Sequence, residues 1–497
     1  MVQFPPMLAK SRMAVSNVTV LVTAATGEGR IIARPPATVA GRRRSCETSV
    51  QTAKGAETMG SGKLTASKRT SRREFLKTSA AAASGAALAT GALESRLHAA
   101  GSGTIKIGMV GCGGRCTGAA INAMNVEPGA RLVAMCDIFL DRVHGRRKDL
   151  KARKPGQVAV DDDHCFAGFD GYKKVIESVD VVLIANAAKF HPFHMKAAIE
   201  AGKHVFVEKP HAIDPRGVKT VIAACELAER KKLSVVSGLQ SRFHAGYRET
   251  VQRIHDGAIG RIMAIEENFL RGPYGLHRRK AGLNEVEYQC SNQYHFTWLS
   301  GDDVPQSLIH NVDRSIWAMK DETPVKCHGL AGRSSMTDEI YGNVFDHHSV
   351  VYEFAGGAKL YAFCRTTTGC YNENSSLIFG TKGRANLTGC RIEGETNWRW
   401  KGPRCDPYDE EHRALFESIR KGRPINSGYH MAKSTLTTVM GQLSCYTGRE
   451  VTWEKAAKSG FYYPPKPEEC TIDMVPPVKP GPDGSYPVRI PGKTRLL

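Results

Sequence analysis

Short apolar runs alternate with longer amphipathic ones in the central part of the chain. IKIGMV, RLVAMC, DVVLIA, HVFV and LSVVS read as strands, and stretches near 116–127, 140–153, 190–201 and 214–231 carry helical spacing. This alternation predicts a parallel sheet, because parallel neighbours need a long return connection that a helix supplies. From residue 238 the pattern changes. SRFHAGYRETVQRIHDGAIG reads as an amphipathic helix ending at a glycine, and RIMAIEENFL as a strand. FDHHSVVYEF and AKLYAFCRTT alternate like antiparallel strands, SSLIFGTKGRANL continues them, and DEEHRALFESIRKGRPI and STLTTVMGQLSCYTG read as helices. Residues 462–491 are Pro-rich and read as an extended arm, reaching over a neighbouring subunit in this picture. No internal repeat is visible.

Composition changes this picture in three ways. A chain of 497 residues with 41% hydrophobic content can bury a large core across two or three domains, and no apolar run reaches the length of a spanning helix. The net charge of +20 suggests nucleic acid until it is located: residues 1–103 hold 15 Lys/Arg against 5 Asp/Glu, half of the excess. No stripe of Lys/Arg interleaved with aromatics appears elsewhere, so a nucleic-acid partner is not expected. The 14 cysteines form no CxxC pair, which argues against a zinc ribbon or a thioredoxin site, and no metal is expected.

The basic segment has an order of its own. RTSRREFLK places Arg69, Arg72 and Arg73 ahead of an Ala/Gly-rich stretch over 79–93, and Leu97-His98-Ala99-Ala100 follows as a small-residue cleavage site. SRREFLK resembles the twin-arginine translocation signal. That resemblance implies transport by the twin-arginine machinery, a periplasmic or otherwise exported location, and a mature chain lacking 1–103. Signals stand near the start of a chain, so translation from Met59 is part of this expectation.

The first strand ends in Gly111-Cys112-Gly113-Gly114-Arg115-Cys116. Glycines at 111 and 113 permit a tight turn and a close backbone approach to a pyrophosphate at the following helix N-terminus. The third glycine of the usual fingerprint is here Cys116. Asp137, ending the second strand, stands where a carboxylate accepts hydrogen bonds from an adenosine ribose and repels a 2′-phosphate, favouring NAD, with NADP as the alternative. Strand, loop, helix, strand and acid together predict a dinucleotide-binding domain over 104–237.

AGKHVFVEKP, residues 201–210, resembles the AGKHVxxEKP signature of the Gfo/Idh/MocA family. The resemblance covers the dinucleotide domain and, more loosely, the chain to about residue 454; the exported, twin-arginine members fit best. It implies an α/β fold with an N-terminal Rossmann dinucleotide-binding domain. A substrate domain with an open, mostly antiparallel sheet follows over 238–455, often supporting homo-oligomerisation, and 456–497 form the Pro-rich extended tail. By position, Glu208, Lys209 and Pro210 form the EKP element, with Lys209 beside nicotinamide and substrate and a cis bond before the Pro. An ammonium there stabilises developing alkoxide charge. His191 falls at the family's histidine, but the preceding family segment Thr-Pro-Asn is here Asn186-Ala187-Ala188. The cofactor set is thus Gly111, Gly113, Gly114, Arg115, Asp137, Asn186, His191, Glu208 and Lys209.

In SGDDVPQSLIHNVDRSIWAM, residues 300–319, Asp302 or Asp303 caps a helix that tolerates Pro305 in its first turn. Gln306, His310, Asp313 and Trp317 then share one face. The family pattern DxGxHxxD is matched by His310 and Asp313, while its first carboxylate is replaced by Gln306, which hydrogen-bonds but does not titrate usefully. The implied catalytic set is Lys209, His310, Asp313 and Gln306, with His310 as general base or acid at an expected pKa near neutral. RGPY at 271–274 reads as a surface loop or a polyol-pocket edge. Asp346-His347-His348 reads as structural, because adjacent strand residues face opposite ways.

The resulting expectation is an exported NAD(P)-dependent oxidoreductase that retains its cofactor and moves hydride to or from a sugar or polyol. A redox-neutral, NAD-assisted glycosidase, lyase or epimerase and a non-catalytic sugar-binding protein are the alternatives.

Overall fold

The computed structural model describes residues 103–497, so the leader and twin-arginine stretch lie outside the described residues apart from Gly103. The first half alternates β1 (Ile105–Val110), α1 (Gly114–Val126), β2 (Ala130–Asp137), α2 (Leu140–Arg153), β3 (Cys165–Ala167), α3 (Gly171–Ser178), β4 (Val181–Ile184), α4 (His191–Glu200), β5 (His204–Val207), α5 (Pro215–Lys231) and β6 (Val235–Ser237). Six parallel strands lie in the order β3-β2-β1-β4-β5-β6. The order reverses between β1 and β4, which opens a crevice at their C-terminal ends. Every β4 residue is buried, as expected of a strand covered by helices on both faces. Local chemistry sets the helix ends: Asp214 accepts from the Gly217 amide at 2.7 Å ahead of Pro215, and Lys232 closes α5 at φ 57°.

The second half begins with α6 (Ala245–His255), whose N-terminus is capped by the His244 ring, and continues into β7 (Ile262–Arg271), α7 (Glu285–Ser291) and α8 (Thr297–Ser300). A π-helical turn over Val304–Leu308 then runs into α9 (Ile309–Ala318). The expected helix over 300–319 is therefore interrupted. Asp302 sits at φ 69°, and Asp303 accepts from Arg271 and from the Ser307 hydroxyl, with no side-chain bond to the helix backbone.

Strands β8 (Lys326–Gly332), β9 (His347–Glu353), β10 (Lys359–Thr366), β11 (Glu373–Gly380), β12 (Gly383–Asn386), β13 (Arg391–Gly394) and β14 (Trp398–Arg399) follow. Then come α10 (Pro407–Arg420), α11 (Gly428–Thr447), β15 (Val451–Thr452) and α12 (Trp453–Lys458). The second sheet has the order β14-β13-β12-β11-β7-β10-β9-β8-β15 and is antiparallel except where β10 pairs with β7. β9 and β10 alternate buried and exposed residues, which leaves one face of the sheet open.

One apolar cluster runs from Val182 and Val205 of the first sheet through Val312 and Met440 to Val350 and Leu360 of the second. α11 is buried nearly all round and forms the middle of that cluster. The halves also interlock: Leu415 and Phe416 of α10 pack into the core of the first sheet with Ala119 and Ala123 of α1. The tail folds back on its own chain. Tyr486 meets the Phe296 ring edge-on at 4.9 Å and donates to Glu285, and the Tyr463 carbonyl accepts from Lys189 at 2.6 Å. Among the described residues, no helix is long and apolar enough to cross a membrane, and no group of His, Cys, Asp and Glu is arranged to hold a metal ion. Asp346 takes three backbone amides, from Ser334, Ser335 and Met336; they outweigh burial and hold its carboxyl at about 2.

Candidate active site

The crevice between β1 and β4 holds a cleft lined by Gly111, Gly113, Asp137, Phe139, Asn186 and His194 among others. A smaller recess lined by Arg115, His191, Glu208, Lys209, Tyr294 and Gln306 adjoins it, with Ala185, Asn186 and Gln293 as the shared wall. The two spaces match a dinucleotide running from its adenosine end toward a reacting end.

Gly111 has φ 96°, and a Cβ there would lie 2.9 Å from the Asn186 backbone, so only glycine fits. A Cβ on Gly113 or Gly114 would meet nothing within 4 Å: open space stands before a helix N-terminus that no side chain caps. Such a terminus presents free amides and a positive dipole end to an anion. Cys116 substitutes for the third glycine because its thiol is small enough to sit under the sheet, 3.6 Å from the Leu183 carbonyl. Asp137 is held by the Cys112 amide at 2.8 Å, the Phe139 amide at 3.2 Å and Arg142 at 3.1 Å. The residues present fit NAD: a cradle for the pyrophosphate, a fixed carboxylate at the ribose position, and a buried, unpartnered Asn186 Oδ1 on the shared wall.

At the other end the Lys209–Pro210 bond is cis, and the Lys209 ammonium donates to the Gln306 carbonyl at 2.7 Å. That bond crosses from the first half to the π turn before α9. His191 ties the two cofactor-side loops, its ring nitrogens lying 2.8 Å from the Pro210 carbonyl and 3.0 Å from that of Asn186. Burial lowers His191 to about 4, so the ring is neutral and donates to one of the two. Glu208 is clamped: its Oε1 lies 2.7 Å from Arg115 Nε, and its Oε2 accepts from the Lys209 amide at 3.2 Å.

His310 keeps a partly open face, while its Nδ1 is buried without a partner. Burial, then the charges of Lys209, Arg314 and Arg115, push its imidazole well below the usual value. The near-neutral value expected from the sequence therefore does not apply; the ring is unprotonated throughout the neutral range. Asp313 has a different neighbourhood from His310. It is fully buried and accepts from Arg242 at 3.0 Å and from the Ser434 hydroxyl at 2.7 Å, fastening α9 to α11. Of the four residues in the catalytic set, Lys209 and Gln306 line the recess, His310 feels the Lys209 charge, and Asp313 is structural in its contacts.

The structure adds residues that sequence reading missed. Gln293 and Tyr294 line the recess, and Tyr294 packs at a tilt against Tyr274 with ring centroids 4.6 Å apart. Tyr274 bonds Ser307 at 3.1 Å and lies under Arg271, which bonds Asp303 at 2.6 Å. RGPY thus backs the recess, Tyr274 packing against Tyr294, which lines it. The only sequence signal was the polar and aromatic run SNQYHF, which carries no spacing rule.

Residues 105–237 match the family model described as oxidoreductase family, NAD-binding Rossmann fold (GFO_IDH_MocA). Inositol 2-dehydrogenase 3 of Saccharopolyspora erythraea is 26% identical over 330 residues, covering 64% of this chain and 86% of that protein. A glycosyl hydrolase family 109 protein of Solibacter usitatus is 35% identical over 152 residues, covering 29% of this chain and 34% of its own. In fold, the chain is similar to aldose-aldose oxidoreductase from Caulobacter crescentus complexed with glycerol, with a TM-score of 0.54 at 20% identity, covering 70% of this chain and 99% of that one. The glycine cradle and the EKP turn both lie within residues 105–237, the stretch that matches this NAD-binding Rossmann family model.

Proposed function

We propose that this protein moves hydride between a retained NAD and a CH–OH group of a sugar, an inositol or a related polyhydroxy compound, and that it does so after export. The observation that carries the reading is the Lys209 ammonium, held at 2.7 Å from the Gln306 carbonyl in a recess that shares a wall with the cofactor cleft. NAD supplies the hydride acceptor when bound. Gly113 and Gly114 cradle its pyrophosphate, Asp137 takes the ribose, and Asn186 and Gln293 flank the reacting end. Lys209 donates to the substrate oxygen and stabilises the negative charge that grows there as hydride leaves carbon. His310, neutral because buried, receives the hydroxyl proton. Gln306 orients a neighbouring hydroxyl, and Tyr294 and Tyr274 provide an aromatic wall for the ring.

Inositol dehydrogenases among the relatives support a polyol substrate, and the order of SRREFLK, apolar stretch and small residues supports twin-arginine export of a folded, preloaded protein. Outside the cytoplasm a released NADH is not readily reoxidised, so the cofactor stays and a second substrate or keto intermediate returns the hydride. The open face of the second sheet, with Leu330 at 76% exposure, supports a homo-oligomer. The test is direct. Purified protein is denatured and the released nucleotide identified, and native protein is mixed with inositols and aldoses while nicotinamide absorbance is followed. Bound NAD reduced by a polyol, without stoichiometric NADH release in steady turnover, is expected. A protein that yields no nucleotide, and that no polyol reduces, contradicts the reading.

The glycosyl hydrolase relative and the missing carboxylate at Gln306 favour a second reading, transient oxidation that acidifies a neighbouring C–H without net redox change. Exchange of that C–H with solvent deuterium in the absence of net oxidation selects it.

A further inference from the structure

α10 brings to the glycine-loop helix a group that hydride transfer leaves unused. Glu411 is fully buried, and neither of its carboxyl oxygens has a hydrogen-bond partner. Its neighbours carry unequal charge. From α1, the single Arg115 guanidinium contacts Glu208 at 2.7 Å and lies 4.7 Å over the Tyr408 ring. From the end of β5, the Glu208 carboxyl packs over Gly238, where a Cβ would stand 2.7 Å from its carboxyl carbon. Asp406 and Tyr408 face the cluster from the start of α10, and His412 beside Glu411 is held neutral by burial, its ring 4.2 Å from that of Phe206. One guanidinium thus faces two buried carboxyls, and it is already engaged by one of them. An unpaired buried carboxylate takes up a proton rather than stay charged.

We propose that Glu411 is a positioning residue: as a neutral carboxylic acid it leaves Arg115 wholly to Glu208, fixing the turn that carries Lys209, and loss of its proton releases that turn. Burial, then the Glu208 charge, raises the Glu411 carboxyl well above its usual range, with Arg115 opposing. The assignment depends on the hydride-transfer reading only for what Lys209 does; the state of Glu411 stands apart from it.

The sign of the pH effect follows. The folded chain binds this proton more tightly than the unfolded chain. Stability therefore falls as pH rises above the ordinary carboxylate range, until the folded value is reached. Glu411→Gln keeps the neutral shape and abolishes the titration. The experiment measures the unfolding midpoint and NAD affinity of the full chain, wild type and Glu411→Gln, from about pH 5 to about pH 9, with infrared spectra of the buried acid carbonyl stretch. The wild type is expected to lose about tenfold in NAD affinity toward the alkaline end, while the variant stays within about twofold of its neutral value. In the difference spectrum at neutral pH, the Glu411 acid carbonyl band should be present in the wild type and absent in the variant, while the buried Glu267 carboxyl, raised to about 7 by burial, contributes equally to both. A parallel decline in both proteins, or no such band in the wild type, overturns the proposal. If the variant does not fold, the wild-type band decides alone: it must be present at neutral pH and vanish as NAD affinity falls. Results as expected here, combined with no polyol reducing bound NAD, would retain Glu411's role and reject hydride transfer.

Discussion

The two ends of the cleft are built in opposite ways. At the adenosine end, Gly111, Gly113 and Asp137 lie within 27 residues of one another on a single strand-helix-strand unit, and the contacts that fix Asp137 come from Cys112, Phe139 and Arg142. At the reacting end, Lys209 meets a carbonyl 97 residues away, and Asp313 is held by a hydroxyl 121 residues away. The first end is a local motif whose spacing is the structure. The second is assembled by packing, so its geometry depends on how α9, α11 and β7 come together, and it is the end where a substitution such as Gln306 is tolerated.

If this contrast holds, damage at the reacting end should be larger and more global than damage at the adenosine end. Asp313→Ala removes the buried one of the two carboxylate partners of the largely buried Arg242 guanidinium and should cost about 3 kcal/mol of stability, read by denaturant unfolding. A loss below about 1 kcal/mol would show that Arg242 manages with Asp321 alone. His310→Gln should leave folding intact and slow reduction of bound NAD by a polyol about 100-fold, the ordinary contribution of a positioned base. Because the folded imidazole is depressed, the wild-type rate should hold as pH falls through the usual histidine range and drop only well below it. Lys209→Met should move the His310 titration upward in an NMR measurement, since that ammonium is the first charge lowering it after burial.

At the adenosine end the effects should be smaller and confined to the cofactor. Gly111→Ala forces a positive φ on an L-residue against the Asn186 backbone and should weaken NAD binding by about 1–3 kcal/mol. Asp137→Ala removes one ribose acceptor, and titration calorimetry should show NAD weakened by about 1 kcal/mol while NADP gains from the freed Arg142. An effect on polyol specificity at either position would break the separation between the two ends.

The same contrast explains what the sequence made legible. β1 and β5 were readable to the residue, because strands covered on both faces are mostly apolar runs, broken here only by Lys106 and His204. β3 was not, being three residues long and half-exposed, and α3 escaped because YKKVIES is too short to show its period. Around His310 the spacing predicted one shared face, but the π turn at Val304–Leu308 shifts the register just where Gln306 and His310 were expected to align, and Asp313 accepts instead from Arg242 and Ser434. His310 titration could not be read from spacing, since burial and the Lys209 charge are properties of the packed cleft. Tyr294 and Glu411 carry no motif at all. The tail's contacts with Phe296 and Lys189 of its own chain were not legible either, because proline content specifies extension but not the surface covered.

The account centres on Lys209 as the group that stabilises oxygen charge during hydride transfer, and a single-turnover measurement addresses it most directly. Wild type and Lys209→Ala, each shown to retain equal bound NAD, are mixed with a polyol that reduces the wild-type cofactor, and the nicotinamide absorbance is followed. The variant should react about 100- to 1,000-fold more slowly with its nucleotide still bound. Reduction at the wild-type rate would contradict the account.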